Sequence, residues 1–321
     1  MKENHKIAVK LSCFIFIFLL IFISLSFLFM PRGNNGGFGV DKYTGHGIHA
    51  EEEETLDVVF VGDSESYTNF SPLYIFENYG YTSYVCGTSG QKLFTSLEFV
   101  KRVIDTQTPE IIFLETNTIF RKLKPGEAEY AFLERYIPLL RYHNTWKDFN
   151  PLAIFQKPKL NRDFLKGHKP RFGALKPDLD GYMAPSDELE IIPKENLVLL
   201  NKIVELAKDN NTRLVLVSTP SPLNWNMKRH NSIEAYASNN SLSYIDLNLT
   251  DININWDEDT YDRGDHLNYN GTVKVSSFIG DYLKKSELGL LDQRSNELYK
   301  PWFNDIIRYK EIINKRQSIY K

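Results

Sequence analysis

Two stretches near opposite ends of the chain's body carry side chains that could do covalent chemistry. In Val61-Gly62-Asp63-Ser64-Glu65-Ser66 a β-branched run ends in a tight turn, and Ser64 follows directly. A hydroxyl placed there is exposed at the carboxyl edge of a strand, where it could serve as a nucleophile and feel the positive end of a following helix. Asp262-Arg263-Gly264-Asp265-His266-Leu267-Asn268-Tyr269-Asn270-Gly271 supplies a matching base. An imidazole beside carboxylates can take and return the serine proton while a carboxylate fixes its tautomer and stabilises the imidazolium. Neighbouring side chains in extended chain point opposite ways, so Asp265 is poorly placed for a ring that faces Ser64. Asp262, four residues back across Gly264, can fold over to meet the ring, with Asp265 or no acid at all as the alternatives. Each stretch alone is weak, since a serine after a turn is also an ordinary helix N-cap and an Asp-rich segment an ordinary loop.

These groups need a frame that brings them together. LDVVFVG (56–62), YTSYVCG (81–87), EIIFLET (110–116), RLVLVST (213–219) and LSYIDLN (242–248) are short, rich in β-branched or aromatic residues and bounded by turn residues, as strands are. Helical patterns lie between them, clearest in ENLVLLNKIVELAKDN, where Leu199, Leu200, Ile203, Leu206 and Ala207 share one face. Such alternation predicts an α/β fold with a parallel sheet between two helical layers, binding its ligand at the strands' carboxyl ends. Ser64 follows the first strand. Gly87-Thr88-Ser89-Gly90 closes the second strand and Leu114-Glu115-Thr116-Asn117 the third, while the helical pattern VKVSSFIGDYLKK follows His266. Residues 121–193 form a long insertion, and the tail from Gln293, with Trp302, Phe303 and Tyr309, reads as a last packed helix.

With serine, glycine, asparagine and histidine elements in this order, residues 55 to 285 resemble the SGNH (GDSL-like) hydrolase superfamily. The resemblance implies a three-layer α/β/α, flavodoxin-like sheet. It also implies Ser64 as nucleophile, His266 as base and an oxyanion hole built from the Ser64 N–H, the N–H of Gly87 or Gly90, and the Asn117 side chain. The family's late motif is Asp-x-x-His; here Arg263 stands three before His266, and Asp262 four before. A single N-terminal anchor ahead of such a domain is similar to the DltD- and AlgJ-like branch that works on cell-envelope polymers, often beside a membrane-bound O-acyltransferase. That implies an esterase or O-acyltransferase handling acetyl or D-alanyl groups. A non-catalytic envelope-assembly module is the competing expectation. Arg141-Tyr142-His143-Asn144-Thr145-Trp146 is similar to segments of those relatives, so His143 and Trp146 are candidate substrate or partner contacts. A buried aromatic beside a hydrogen-bonded histidine would look the same.

Composition sets the boundaries. The 321 residues are 42% hydrophobic and 25% charged, enough apolar material for one sizeable core in a single domain over 55–321. A net charge of -3 and pI near 6.2, with no basic stripe, exclude a nucleic-acid binder. Two cysteines, Cys13 and Cys86, give no disulfide framework. No cofactor or metal is expected: Asp251 to Asp262 imitates a calcium loop, but Trp256 stands where the loop needs glycine. The Asn-x-Ser/Thr triplets at Asn69, Asn210, Asn239, Asn248 and Asn270 are those chance gives an Asn-rich chain.

Leu11 to Met30 is free of charge, and twenty residues at 1.5 Å each span about 30 Å, a bilayer core. Residues 1–30 therefore read as a cytoplasmic stub and transmembrane anchor, 31–54 as a Gly-rich tether ending in a solvated acidic run, and the body as extracytoplasmic. Lys2, Lys6 and Lys10 precede the span and only Arg32 closely follows it, which sets the N-terminus inside. A cleaved signal peptide is the alternative. Protease added to intact cells that lack an outer membrane is expected to release a fragment of nearly the whole body. Protection of a protein that is cut after lysis would reverse the orientation.

Overall fold

The computed structural model describes residues 2–26, 47–127 and 160–320, with isolated positions between 128 and 159. Lys2–Ser26 is one helix, α1. Its stretch Asn4–Ser26 has mean hydropathy 2.7 and is long enough to cross a membrane, as is a signal sequence. Thr44–Lys122 and Arg162–Lys321 form one compact unit that holds the sheet, while Met1–Tyr43 and Leu123–Asn161 group separately.

Strands β1 (Val58–Gly62), β2 (Ser83–Gly87), β3 (Ile111–Glu115), β4 (Arg213–Ser218) and β5 (Ser243–Asp246) make a parallel sheet in the order β2-β1-β3-β4-β5. This is the flavodoxin-like, doubly wound order, as the alternating pattern predicts. Every residue of β1, β2 and β3 is buried, because helices cover both faces. Alternate side chains sort to the two sides. Val58 and Phe60 join Phe113, Val215 and Val217 in one core, and Phe60 stacks on Phe70 at 4.3 Å. Val59 and Val61 join Ile112, Leu114 and Leu216 in the other.

After β1 come α2 (Ser64–Asn69) and α3 (Pro72–Tyr79), and after β2 comes α4 (Leu93–Gln107). A single turn, α5 (Asn117–Phe120), follows β3, and α6 (Lys194–Asp209) leads into β4. Helices α7 (Met227–Asn239) and α8 (Tyr269–Lys285) flank β5, and α9 (Lys300–Tyr320) closes the chain. The expected last helix is thus present, burying Trp302, Ile306, Tyr309 and Ile313. The chain runs from β1 outward to β2 and then back across to β3. The switch point therefore lies between β1 and β3, where open α/β sheets bind ligands at the carboxyl ends of their strands.

Two segments depart from the sequence expectation. Residues 47–54, expected as the end of the tether, belong to the compact unit. Gly47–Ala50 forms a 3-10 turn, Ile48 enters the core at 2% exposure, and Glu51 is buried instead of solvated. The cause is Lys166, whose fully buried Nζ lies 2.8 Å from both Glu51 oxygens, 3.8 Å from Asp305 and 4.5 Å above the Trp302 ring. Burial pushes Glu51 up and pulls Lys166 down in pKa, each partner opposing that shift in the other. Nor is 121–193 an excursion throughout. From Arg162 the chain rejoins the compact unit, and the Lys166 carbonyl accepts from Val85 N at 2.9 Å, covering the outer edge of β2.

Removing one partner of a buried pair strands the other's charge. Lys166→Met is therefore expected to cost about 3 to 5 kcal/mol by denaturant melts, and adding Glu51→Leu to recover much of it. A double variant no more stable than the single would contradict this.

Candidate active site

Ser64 is the first residue of α2 and is 7% exposed. Its neighbour Asp63 caps the helix, Oδ1 accepting from Glu65 N at 3.0 Å. Asp63 Oδ2 accepts from Asn117 Nδ2 at 3.1 Å and from Arg121 Nε at 2.7 Å. A carboxylate this deeply buried persists only with such partners. Gly62 permits the approach of β1 to β3, since a Cβ there would meet Ser66 Oγ at 2.0 Å and Glu115 Cβ at 2.5 Å.

Helix α2 is clamped from two sides. The Tyr67 carbonyl accepts from Lys169 N at 2.7 Å and from His168 Nδ1 at 2.9 Å, which fixes the proton of that buried ring on Nδ1. Burial holds the His168 pKa down to about 4, so the ring is neutral. On the other side, Leu267 N donates to Asn69 Oδ1 at 3.3 Å and Thr272 Oγ1 to the Thr68 carbonyl at 2.7 Å. These bonds bring the His266 loop beside the serine helix.

Within that loop Asp262 receives His266 twice, Oδ1 from the backbone N and Oδ2 from Nδ1, both at 2.7 Å. Asp265 Oδ2 is farther from Nδ1, at 3.5 Å. Arg263 and Gly264 adopt positive φ, 63° and 96°, and this left-handed pair absorbs the extra residue that puts the carboxylate four positions back. Because a carboxylate only accepts, Nδ1 carries the proton and Nε2 of the neutral ring presents its lone pair. Nε2 is buried without a hydrogen bond, so Ser64 Oγ does not bond to it here. Such contacts often tighten only when substrate binds. Burial lowers the His266 pKa, but the Asp262 hydrogen bond and the charges of Asp265, Asp262 and Glu65 outweigh it and the net shift is upward.

The expected oxyanion donors are unequal. Gly87 abuts the turn that leads into Ser64, since a Cβ there would lie 3.1 Å from the Asp63 carbonyl, whereas Gly90 sits in an exposed loop with open space around it. Asn117 lies just after β3 with its amide engaged. Oδ1 accepts from Arg229 at 3.1 Å, and Nδ2 donates to Asp63 and, at 3.3 Å, to Glu65 Oε1. His143 and Trp146 lie outside the described residues.

Sequence reasoning missed Glu65, Arg121, Thr219, Asn224 and Arg229. Asn224 Nδ2 lies 2.7 Å from Glu65 Oε1 and 2.6 Å from Asp265 Oδ1, and Thr219 Oγ1 lies 2.9 Å from Glu65 Oε2. The available signal was an acidic residue directly after the serine and a polar Pro-Ser-Pro-Leu-Asn loop closing β4. The Asp262, Asp265 and His266 donor atoms lie within 4.8 Å of one another, close enough for a cation, but Nδ1 is already bonded to Asp262.

No profile of a known protein family matches the chain, and no curated protein does. Among solved structures it is similar to a GDSL-like lipase from Bacteroides thetaiotaomicron (14% identity, TM-score 0.40, 77% of this chain and 98% of that one). It is also similar to the psychrotrophic esterase EstA from a Pseudoalteromonas species (10% identity, TM-score 0.39, 71% and 97%).

The geometry ranks the carboxylates. Asp262→Asn is expected to slow reaction of Ser64 with a fluorophosphonate by about 10² to 10⁴-fold, and Asp265→Asn by under about tenfold. The imidazole is a base only when neutral, so the wild-type rate climbs as pH rises through its raised pKa. Losing the Asp262 charge should move that climb to lower pH. A climb that stays in place in Asp262→Asn would assign the raised pKa to other charges.

Proposed function

We propose that the chain is a serine-dependent esterase or O-acyltransferase. The observation that carries this reading is the His266–Asp262 pair at 2.7 Å in a loop bonded to the helix that Ser64 begins, at the switch point of the sheet. In the proposed cycle Ser64 Oγ attacks the acyl carbonyl carbon as His266 Nε2 takes its proton, and the carbonyl oxygen becomes an oxyanion. The Ser64 and Gly87 N–H groups are its proposed donors, together with Asn117 if substrate draws the amide away from Glu65. His266 then returns the proton to the departing alcohol. Water or an acceptor hydroxyl next attacks the acyl-serine, losing its proton to His266, and serine is regenerated.

The proposed substrate is an acyl ester, acetyl or D-alanyl, of a cell-envelope polymer. What supports it is the resemblance in sequence order together with α1, which would hold the domain at the outer face of a membrane, where a membrane-bound O-acyltransferase could be its partner. A non-catalytic envelope-assembly module is the competing reading. The long-range test is direct: Ser64→Ala should abolish fluorophosphonate labelling and lower esterase turnover at least about 10³-fold, and His266→Ala should do likewise. Turnover unchanged in Ser64→Ala would remove the nucleophile assignment, and a wild-type protein inert to probe and ester would favour the assembly module.

A further inference from the structure

Glu65 follows the proposed nucleophile on the same short helix, yet its side chain turns inward and is 2% exposed. Its oxygens gather donors from two other strand ends. Asn117, after β3, and Asn224, after β4, both donate to Oε1 at 3.3 and 2.7 Å, and Thr219, also after β4, donates to Oε2 at 2.9 Å. Asn224 passes the connection on to Asp265, beside His266, at 2.6 Å. Arg229 donates to the Asn117 side-chain Oδ1 at 3.1 Å and to the Asn224 main-chain carbonyl at 2.6 Å, tying the two segments together. A single side chain on the Ser64 helix thus touches the segments after β3 and β4 and, through Asn224, reaches the His266 loop.

We propose that Glu65 is a positioning residue, a strut that sets the nucleophile turn, the Asn117 amide and the His266 loop in register through Asn117 and Asn224. The inference rests on the serine-esterase reading above. The groups that face Glu65 are Asp63 from the β1–α2 turn, Glu115 from β3, Arg121 after α5, Tyr182, and His266 from the last loop. Burial and then the Asp63 charge push the Glu65 pKa up to about 8, against the hydrogen bonds from Thr219 and Asn224. Both causes favour the protonated form of the side chain. A protonated carboxyl donates once, and the Thr219 hydroxyl can rotate to accept, which leaves Oε1 free for the two amides. Glutamine has the same shape and the same capacity: one oxygen for Asn117 and Asn224, one N–H for Thr219.

The experiment is the rate of Ser64 phosphonylation by a fluorophosphonate at pH 7 in the full chain. Glu65→Ala is expected to slow it by about 10² to 10³-fold, Glu65→Gln to restore it to within about fivefold of wild type, and Asn224→Ala to slow it about tenfold or more. The double variant Glu65→Ala/Asn224→Ala should be no slower than Glu65→Ala, because both act through one chain of bonds. Labelling of Glu65→Ala within about threefold of wild type, Gln no faster than Ala, or multiplying effects in the double variant would each overturn the strut. Should Glu65→Ala fail to fold, the partly exposed Asn224 decides: wild-type labelling in Asn224→Ala refutes the inference, and slowed labelling supports it. If wild type is not labelled at all, the esterase reading fails separately. The strut is then judged on melting temperature, where a drop in the double variant equal to the sum of the single drops would refute it.

Discussion

Asp63 is a carboxylate with no exposure to water at the end of a parallel sheet, and the arrangement of the site depends on satisfying it. Three directions are fixed by that need. The Glu65 N–H is drawn in to begin α2, the Asn117 amide is drawn in from the end of β3, and Arg121 is held against the carboxylate. A buried carboxylate left short of donors costs several kcal/mol, more than any of the turns involved could absorb, so the three elements hold together or not at all. The Ser64 hydroxyl is positioned as a consequence of where its neighbour must be.

The same end of the sheet carries more acid than one arginine can balance. Glu115 lies beside Asp63 and Glu65, and burial with the Asp63 and Glu65 charges pushes its pKa well up. Its Oε1 accepts from Asn117 N at 2.6 Å while Oε2 has no hydrogen-bond partner. Burial and the neighbouring charges push both Glu65 and Glu115 toward the protonated form, the usual direction when like charges are forced together at low dielectric.

Histidines in this protein divide by environment in the same way. His168 is wholly buried, neutral and bonded to a carbonyl, and it acts by holding α2. His230 pairs with Asp246 at 2.8 Å in a cluster that includes Trp225 and Tyr244, where the carboxylate also takes the Trp225 Nε1 and Tyr244 hydroxyl hydrogens. His266 alone of these three combines a carboxylate partner with a second nitrogen left unbonded next to the serine helix. A histidine beside an aspartate is therefore not distinctive in itself; the free nitrogen and its position are.

What the sequence settled by itself was whatever depends on local pattern. Five short β-branched runs separated by helical periodicity required a parallel sheet, because such strands can bury both faces only between helices. A serine after the first strand was thereby placed at the sheet's carboxyl edge, at the start of a helix. Asp262 could be preferred to Asp265 from chain direction and one glycine. Tertiary structure decided what depends on partners distant in sequence. Glu51 belongs to an acidic run, and nothing local reveals that Lys166 waits for it inside the fold, 115 residues on. Glu65, Thr219 and Asn224 look like ordinary polar residues until the β1, β3 and β4 ends converge. Hydrogen bonding is short-ranged and directional, so a network assembled from three loops leaves no periodic trace in any of them.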